Sequence, residues 1–263
     1  MENYINLNNF TSELKSLNSK TPFPFAVIDN FFTPDMAEKL AEEFPNLDSP
    51  IFNGNYNNSI EIKKTCNIWD RFPSNTYKML HYLNSNEFIS LIEKYTGIKL
   101  YADQGLHGGG WHLHPSGGKL NVHLDYTLHP KLGLQRKYNL IVYLNPKYQS
   151  GWGGELGLWS HDETTNQPKD CIEIIEPVFN RAVFFDTTMN SWHGLEIPNK
   201  FPENECRKSM ALYYLTIPQG DIDNRKRALF APSEEQKNDV EVLELIERRS
   251  KVTGEDPTKW RRE

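Results

Sequence analysis

The chain has 263 residues, of which 38% are hydrophobic and 12% aromatic, and its formal net charge at pH 7 is −6. This length suits one large domain with appendages, and the apolar content is sufficient for a sizeable core. The acidic balance disfavours a polynucleotide substrate, because backbone-driven nucleic-acid binding needs clustered Lys and Arg. No run approaches the roughly 18 apolar residues of a membrane span.

The cysteines and the N-terminus bear on the cellular compartment. Cys66, Cys171 and Cys206 are far apart and form neither a CxxC pair nor a framework of even number, which favours reduced thiols. The N-terminal MENYINLNNF has neither the basic region nor the apolar stretch of a secretory signal. These features predict a cytoplasmic protein and leave its oligomeric state open.

The first 99 residues predict a supporting segment of helices with one strand. PFAVIDNFF (24–32) has the apolar content of a strand. The following residues predict a helix over 33–45, because Thr33 suits the N-cap and Pro34 the first helical position. The other predicted features of this segment are a loose polar lead-in at 1–20, a turn-rich stretch at 48–59, and helices at 75–84 and 86–96.

From about residue 100 the pattern changes to short apolar or alternating runs separated by Gly, Pro, Asn and Asp. Closely spaced short strands of this kind are typical of an all-β sandwich or barrel. The predicted strands of this core, residues 100–218, lie at 100–106, 110–114, 119–126, 138–145, 154–159, 171–176, 181–186, 191–196 and 207–217. The fold class predicted is therefore mainly β with flanking α-helices, in one domain overall.

A charged extension, residues 219–263, follows the core. One amphipathic helix is predicted over 233–251, and its apolar stripe would be Val240, Leu243 and Ile246.

The segment NVHLDY (121–126) places two polar groups on one face of a predicted strand. His123 and Asp125 are two residues apart and point to the same side of the sheet. A third candidate, His193, follows in NSWHGLE, 68 positions after Asp125. Two histidines and one carboxylate that leave other coordination positions open form the facial triad of non-haem Fe(II) oxygenases. The alternative for His123 and Asp125 alone is a surface or structural pair.

Arg207 opens RKSMALYYLT, 14 positions after His193, and this run alternates well enough to be a strand. On such a strand Arg207 and Ser209 share a face. A guanidinium inside a barrel needs an anion, and its planar fork matches a carboxylate. The alternative is an Arg at the strand mouth that faces solvent.

Six segments, in this order, resemble iron(II)- and 2-oxoglutarate-dependent dioxygenases of the prolyl-4-hydroxylase-like superfamily. They are HLD (123–125), YNLIVYLN (138–145), WGGELGLW (152–159), RAVFFDT (181–187), WHG (192–194) and RKSMALYY (207–214). The resemblance is closest to a bacterial and phage branch that carries HPKLGLQR before NLIVYLN, and it covers roughly residues 100–217. It implies a double-stranded β-helix (jelly-roll) core braced by the N-terminal helices.

The resemblance also implies roles for individual residues. The iron ligands that it implies are His123, Asp125 and His193. It implies that Arg207 holds the distal carboxylate of 2-oxoglutarate, that Tyr143 assists Arg207, and that Leu156 packs on the cosubstrate chain. The alternative for Tyr143 is an aromatic ring that fills the core. The interval between His193 and Arg207 is longer than is usual, which makes Lys208 a rival, although strand parity places Lys208 on the opposite face.

The activity implied is hydroxylation of an unactivated C–H bond with Fe(II), 2-oxoglutarate and O₂, with ascorbate as a stimulating additive. Because Asp125 is present, hydroxylation is favoured over halogenation, in which chloride takes the carboxylate position. A prolyl residue in a peptide or protein is the first substrate expected, and a small metabolite or a sugar-linked molecule is the alternative. The predicted substrate-wall residues are Trp111, His112, His114 and Trp192. The loop 126–137 is hypothesised to close over the site.

Two other classes explain part of this pattern. A zinc-dependent isomerase or hydrolase of the cupin type would use the three ligands but leave Arg207 and Tyr143 unexplained. A jelly-roll sugar-binding module would use the tryptophans for stacking but leave the convergent ligands without a role. Fe(II)-dependent turnover of 2-oxoglutarate to succinate distinguishes the three classes.

Overall fold

The computed structural model describes residues 4–251 except 196, 221, 223, 224 and 226. Its helices are α1 (Leu7–Lys15), α2 (Pro34–Glu43), α3 (Ser74–Leu83), α4 (Asn86–Thr96) and α5 (Val240–Lys251). Its strands are β1 (Phe25–Ile28), β2 (Gly54–Asn57), β3 (Ile62–Cys66), β4 (Tyr101–Ala102), β5 (Gly110–His114), β6 (Leu120–Leu124), β7 (Gln135–Tyr143), β8 (Leu156–Asp162), β9 (Gln167–Ile175), β10 (Ala182–Asp186), β11 (Trp192–Leu195), β12 (Arg207–Thr216) and β13 (Leu229–Phe230).

The described strands form two antiparallel sheets. The larger sheet has the order β1-β10-β7-β12-β5-β3-β2, with β4 also paired to β12, and the smaller sheet has the order β13-β6-β11-β8-β9. From β5 onward the chain crosses repeatedly between the sheets, so residues distant in sequence face one another. The predicted class, mainly β with flanking helices, is confirmed.

The outer face of the larger sheet packs against the N-terminal helices. Met210 and Leu212 of β12 are fully buried there, in one apolar core with Phe10 of α1 and Phe88 of α4. The rings of Phe10 and Phe88 stack with their centroids 5.2 Å apart. This core holds the larger sheet in place by apolar burial, the main favourable term in folding.

A second apolar cluster lies between the inner faces of the two sheets. It joins Val183 and Phe185 of β10 to Leu156 and Leu158 of β8 and to the ring of Tyr143. The polar residues of the interior adjoin this cluster, so they are held by packed neighbours on the same strands.

Local signals explain where the helices start and stop. Helix α2 has Pro34 in its first turn, after Thr33, as predicted. Helix α4 begins after Ser85, whose hydroxyl accepts a hydrogen bond from the Phe88 amide at 3.3 Å, and ends at Gly97, whose φ of 70° is left-handed. None of the described helices has the length and hydropathy that a membrane span requires.

Two predictions for the N-terminal segment are wrong. Residues 1–20 contain helix α1, which buries Phe10 and Leu14 and is capped by the Asn6 side chain. The turn-rich stretch at 48–59 contains β2, which pairs with β3 and joins the larger sheet through β5. Both elements bury few residues fully, two in α1 and none in β2, and therefore their sequences look polar.

Helix α5 is present, but its face differs from the prediction. It begins at Val240 rather than at 233, and Val240 and Leu243 are 66% and 39% exposed. Val242 and Leu245 are buried instead, and Ile246 packs beside them against β13. The surface on which the helix docks therefore decides which of its apolar residues are covered.

Candidate metal centre and cosubstrate pocket

Three buried ligand groups converge between the two sheets. His123 on β6 and His193 on β11 are direct partners across an antiparallel pair, and Asp125 follows β6. One potential ligand atom from each lies within 4.8 Å of the others. Nε2 of His123 is 3.9 Å from Oδ1 of Asp125, and Nε2 of His193 is 3.9 Å from Oδ2. These distances are too long for hydrogen bonds and suit a shared cation.

Backbone carbonyls orient both imidazoles. Nδ1 of His123 lies 2.9 Å from the Asn121 carbonyl oxygen, and Nδ1 of His193 lies 2.8 Å from that of Ser191. A carbonyl only accepts, so Nδ1 carries the proton and Nε2 keeps its lone pair for a metal. Burial and the neighbouring His193 lower the pKa of His123 to about 3, and burial also lowers the pKa of His193. Both rings are therefore neutral donors at physiological pH.

Asp125 supplies the negative charge of the group. Burial raises its pKa, but nearby positive charge, chiefly the Arg136 guanidinium 3.2 Å from Oδ1, lowers the pKa by more than burial raises it, so the net shift is downward. Oδ2 is buried without a hydrogen-bond partner among the described residues. A buried carboxylate oxygen of this kind needs a partner, and a cation would supply one. Two neutral imidazoles and one carboxylate fit Fe(II).

Arg207 forms an anion site on the inner face of β12. It is 2% exposed, and its Nε donates to the Gly154 carbonyl at 2.7 Å. A Cβ at Gly154 would lie 2.9 Å from Cδ of Arg207, so the glycine makes room for this side chain. Nη1 also donates to the Ser209 hydroxyl, at 3.5 Å, which is another neutral partner. A buried guanidinium held by neutral groups is suited to bind an anion.

Tyr143, Leu156 and His114 lie around Arg207. The guanidinium carbon of Arg207 is 4.9 Å from the centroid of the Tyr143 ring. Burial raises the pKa of Tyr143 more than Arg207 lowers it, so the hydroxyl stays protonated. Leu156 belongs to the same apolar cluster as Tyr143. His114 pairs with Arg207 across β5 and β12, and within the described part of the chain both of its buried ring nitrogens are without hydrogen-bond partners.

Strand parity separates Arg207 from its rival Lys208. The Nζ of Lys208 lies over the ring of Phe44, 5.8 Å from its centroid, on the helix side of the sheet. Of the two cations, Arg207 is the one that points into the interior.

The structure divides the predicted substrate-wall residues. His112 pairs with Ser209 and therefore faces the same interior as His114. Burial, Lys63 and Arg207 lower the pKa of His112 to about 3. The prediction for Trp111 is wrong. Trp111 is fully buried on the helix side, where its ring lies 5.0 Å from that of Phe72.

The prediction for Trp192 is also wrong. Trp192 is fully buried on the outer face of the smaller sheet with Trp159, and its Nε1 donates to Nδ1 of His161 at 2.9 Å. The parity rule that pairs His123 with Asp125 also places Trp192 opposite His193. The sequence therefore carries the signal that excludes both tryptophans.

Three side chains near the ligands were not predicted from the sequence: Lys63, Arg136 and Phe230. The ring of Phe230 stacks on His123, with centroids 5.2 Å apart and planes at 27°. Strand β13 pairs Phe230 directly with His123, so the C-terminal extension forms an edge of the ligand-bearing sheet. Lys63 pairs with the buried Glu61 at 3.1 Å and lowers the pKa of His123 from nearby. No local pattern singles out these contacts, because they depend on pairing between distant strands.

Comparison with known proteins agrees with this arrangement. Residues 109–215 match the model of the 2OG-Fe(II) oxygenase superfamily, and this span contains the three candidate ligands and Arg207. Over this span the chain is similar to 2OG-Fe(II) oxygenases. The donor set and the buried anion site fit the Fe(II) and the 2-oxoglutarate that the superfamily's name contains.

Two curated relatives of this chain are named as prolyl 3-hydroxylases. "Prolyl 3-hydroxylase OGFOD1" of Xenopus laevis is 24% identical over 194 residues, which cover 73% of this chain and 35% of that protein. The Mus musculus protein of the same name is 26% identical over 194 residues, which cover 73% of this chain and 33% of that protein. The chain thus spans about a third of the length of the curated relatives it matches.

Solved structures of three prolyl hydroxylases share the fold of this chain. A Pseudomonas putida prolyl-4-hydroxylase has a TM-score of 0.55 at 19% identity and covers 78% of this chain and 98% of its own. A Trichoplax adhaerens prolyl hydroxylase, in complex with a hypoxia inducible factor peptide fragment, has a TM-score of 0.54 at 20% identity, and the match covers 78% of this chain and 89% of that one. A Phytophthora capsici prolyl 4-hydroxylase has a TM-score of 0.54 at 18% identity, and the match covers 92% of this chain and 74% of that one. The predicted double-stranded β-helix is confirmed.

Proposed function

We propose that the chain is an Fe(II)- and 2-oxoglutarate-dependent dioxygenase that hydroxylates a prolyl residue in a peptide or protein. The observation that carries this proposal is the convergence of His123, Asp125 and His193 within 4.8 Å, in the same buried interior as Arg207. In this proposal residues 100–218 are the catalytic core, residues 1–99 support it, and residues 219–263 extend it.

The three ligands would hold the metal from one side and leave its other positions accessible. Bound Fe(II) supplies the oxidative chemistry, which needs open positions for 2-oxoglutarate and O₂. Arg207 binds the distal carboxylate of 2-oxoglutarate through its planar fork, and the protonated Tyr143 hydroxyl donates to the same group. Leu156 packs on the aliphatic part of the cosubstrate. Ascorbate would keep the iron reduced.

The chain also shields the reacting atoms from water. Phe230 covers one face of His123, and the two sheets bury all three ligands. The neutral His112 and His114 face this interior and are proposed as substrate contacts. The lid proposed at 126–137 is shorter than predicted, because β7 already begins at Gln135. Limited proteolysis with and without an inert cosubstrate analogue tests whether it closes.

A prolyl substrate is favoured over a sugar for two reasons. The curated relatives are named prolyl hydroxylases, and one structural neighbour holds a peptide fragment. Three of the four tryptophans that would stack on a sugar are also elsewhere, since Trp111 lies in the helix-side core and Trp159 and Trp192 on the outer face of the smaller sheet. The fourth, Trp152, packs its ring 5.2 Å from that of Phe201. A zinc enzyme of the cupin type would leave the buried Arg207 without an anion.

The test incubates the protein with Fe(II), ascorbate and 2-oxoglutarate under air, with separate pools of proline-containing peptides, free amino acids and nucleotide sugars. We expect the peptide pool to gain the mass of one oxygen atom, with succinate formed in step. A gain confined to the nucleotide sugars contradicts the prolyl substrate but retains the oxygenase. Absence of succinate with every pool, under conditions where His193→Ala serves as the inactive control, contradicts the activity itself.

A further inference from the structure

Arg136 is buried against the candidate ligand Asp125 and has no role in the proposed binding of 2-oxoglutarate. Its side chain is 2% exposed, although arginine is rarely buried without a specific partner. Its Nη1 lies 3.2 Å from Oδ1 of Asp125, and its Nη2 donates to the His107 carbonyl at 2.7 Å. One guanidinium fork therefore holds both a carboxylate and a main-chain carbonyl.

Two tyrosine rings clamp this guanidinium. Its central carbon is 3.4 Å from the ring centroid of Tyr126 and 3.3 Å from that of Tyr213. Both distances are close to van der Waals contact, so the rings must lie on opposite faces of the planar group. The Tyr126 hydroxyl donates to the same His107 carbonyl, at 3.2 Å. A planar cation stacked on both faces has a fixed plane, and the directions of its N–H groups are fixed with it.

A β-bulge brings Arg136 to the inner face of the larger sheet. Strand β7 pairs Tyr138 with Tyr214 and Arg136 with Leu215, so Lys137 is an extra residue in β7. Tyr138 belongs to the helix-side core, and without the bulge Arg136 would share that face. Bulges re-aim side chains in this way, often next to active sites.

We infer that Arg136 is a positioning residue that fixes Asp125 as a one-oxygen ligand. Each carboxylate oxygen lies 3.9 Å from one histidine Nε2, but Nη1 holds Oδ1, whereas Oδ2 has no hydrogen-bond partner among the described residues. The fork thus leaves Oδ2 for the metal. One-oxygen ligation keeps a coordination position open, which the reaction needs. This inference rests on the proposed function, since it takes Asp125 to be a ligand.

Within the described residues, loss of the fork leaves Asp125 with the single hydrogen bond from the Tyr213 hydroxyl, about which the carboxylate can rotate. The carboxylate then either binds through both oxygens or turns away from the histidines, and both changes alter the ligand field of a bound metal. Removal of a residue that orients a metal ligand lowers metal affinity by about 10–100-fold.

The experiment titrates Co(II), whose visible spectrum reports coordination, into wild type, Arg136→Met and Arg136→Lys. The unfolding temperature of each metal-free protein is measured in parallel. We expect Arg136→Met to bind Co(II) about 10–100-fold more weakly, with a shifted spectrum. Arg136→Lys should restore neither property, because an ammonium group has no planar fork. The matched control is Arg181→Met, which removes a surface fork on Asp29, with Nε 2.6 Å from Oδ1, and should leave Co(II) binding unchanged.

Three results from the variants and one from the wild type overturn the inference. If Arg136→Met folds and keeps the wild-type affinity and spectrum, the positioning role is lost while the proposed function stands. If Arg136→Lys restores both, charge alone is sufficient and the fork has no role. If Arg136→Met does not fold, Tyr126→Leu takes its place, because it loosens the clamp but keeps the guanidinium. An unchanged spectrum in Tyr126→Leu is the third overturning result. Absence of Co(II) binding in wild type contradicts the proposed function as well.

Discussion

Strand β12 separates two regions of the interior that are buried to a similar degree. On its helix side Met210, Leu212 and Tyr214 are fully buried, and the Tyr214 hydroxyl donates to the Leu83 carbonyl at 3.0 Å. On its inner side Arg207 and Ser209 are buried to almost the same degree. The helix side is thus filled by apolar groups, whereas the inner side holds a charge and polar atoms.

The difference between the two faces shows how one strand serves both stability and function. Apolar burial on the helix side contributes favourably to folding. Burial of charged and polar groups on the inner side is unfavourable unless each group finds a partner. The nitrogens of His114 and Oδ2 of Asp125 find none among the described residues. Changes on the inner face should therefore affect ligand binding, and changes on the helix face should affect stability.

The largest effect is expected from the ligands. His123→Ala or His193→Ala should abolish Fe(II) binding and turnover, because two remaining ligands hold the ion poorly and the three act as a unit. The fold should survive, since neither ring belongs to the helix-side core. Metal titration, succinate release and circular dichroism check this, with Asp125→Gly expected to retain some iron but no hydroxylation. Full activity in either histidine variant contradicts the triad.

The opposite result is expected on the helix face. Trp111→Ala should lower the free energy of unfolding by about 3–5 kcal/mol, because it opens a cavity in the core. The affinity of the folded protein for 2-oxoglutarate should not change. Urea unfolding and cosubstrate titration measure the two quantities. A stable variant with a raised KM for substrate would return Trp111 to the pocket wall.

Arg207 and Lys208 provide the sharpest test of parity, because they are neighbours on opposite faces. Arg207→Ala should weaken 2-oxoglutarate binding by about 1.5–3 kcal/mol for each charged hydrogen bond lost. Arg207→Lys should recover little of this, since the fork is lost. Lys208→Ala is the matched control and should bind normally in the same calorimetric titration. A larger effect from Lys208→Ala would contradict the register of β12.

The smallest effect concerns pH and His114. Burial, and next Arg207, hold the pKa of His114 well below its ordinary value in the folded protein. Above about pH 6.5 neither state protonates this ring. Below that pH the unfolded chain takes up a proton that the folded protein excludes, so stability falls, by about 2 kcal/mol at about pH 5.

Urea unfolding at about pH 7.5 and about pH 5 checks this prediction for His114. The drop in the free energy of unfolding should be about 2 kcal/mol smaller in His114→Gln than in wild type. His81→Gln, at an exposed position on α3, is the matched control and should show the wild-type drop. Equal drops in the free energy of unfolding of all three proteins would mean that the folded protein does not hold His114 in its neutral form.

Local geometry accounts for the parts of the site that could be predicted. The two-residue repeat of a strand places His123 and Asp125 on one side and separates Arg207 from Lys208. The same repeat excludes Trp111 and Trp192 from the interior, because each is next in sequence to an inward-facing histidine and therefore points to the opposite face. Helix α1 was missed because only Phe10 and Leu14 of its nine residues are buried.

The sequence by itself determined which residue types alternate along each strand, because side-chain direction follows from the backbone of one segment. Only the tertiary structure decided what meets across the sheets. The bulge at Lys137 reverses the expected face of Arg136, and it exists because β7 and β12 pair in that register. Phe230 covers His123 because β13 pairs with β6. Both contacts depend on hydrogen bonds between strands far apart in the chain, which no local window of sequence contains.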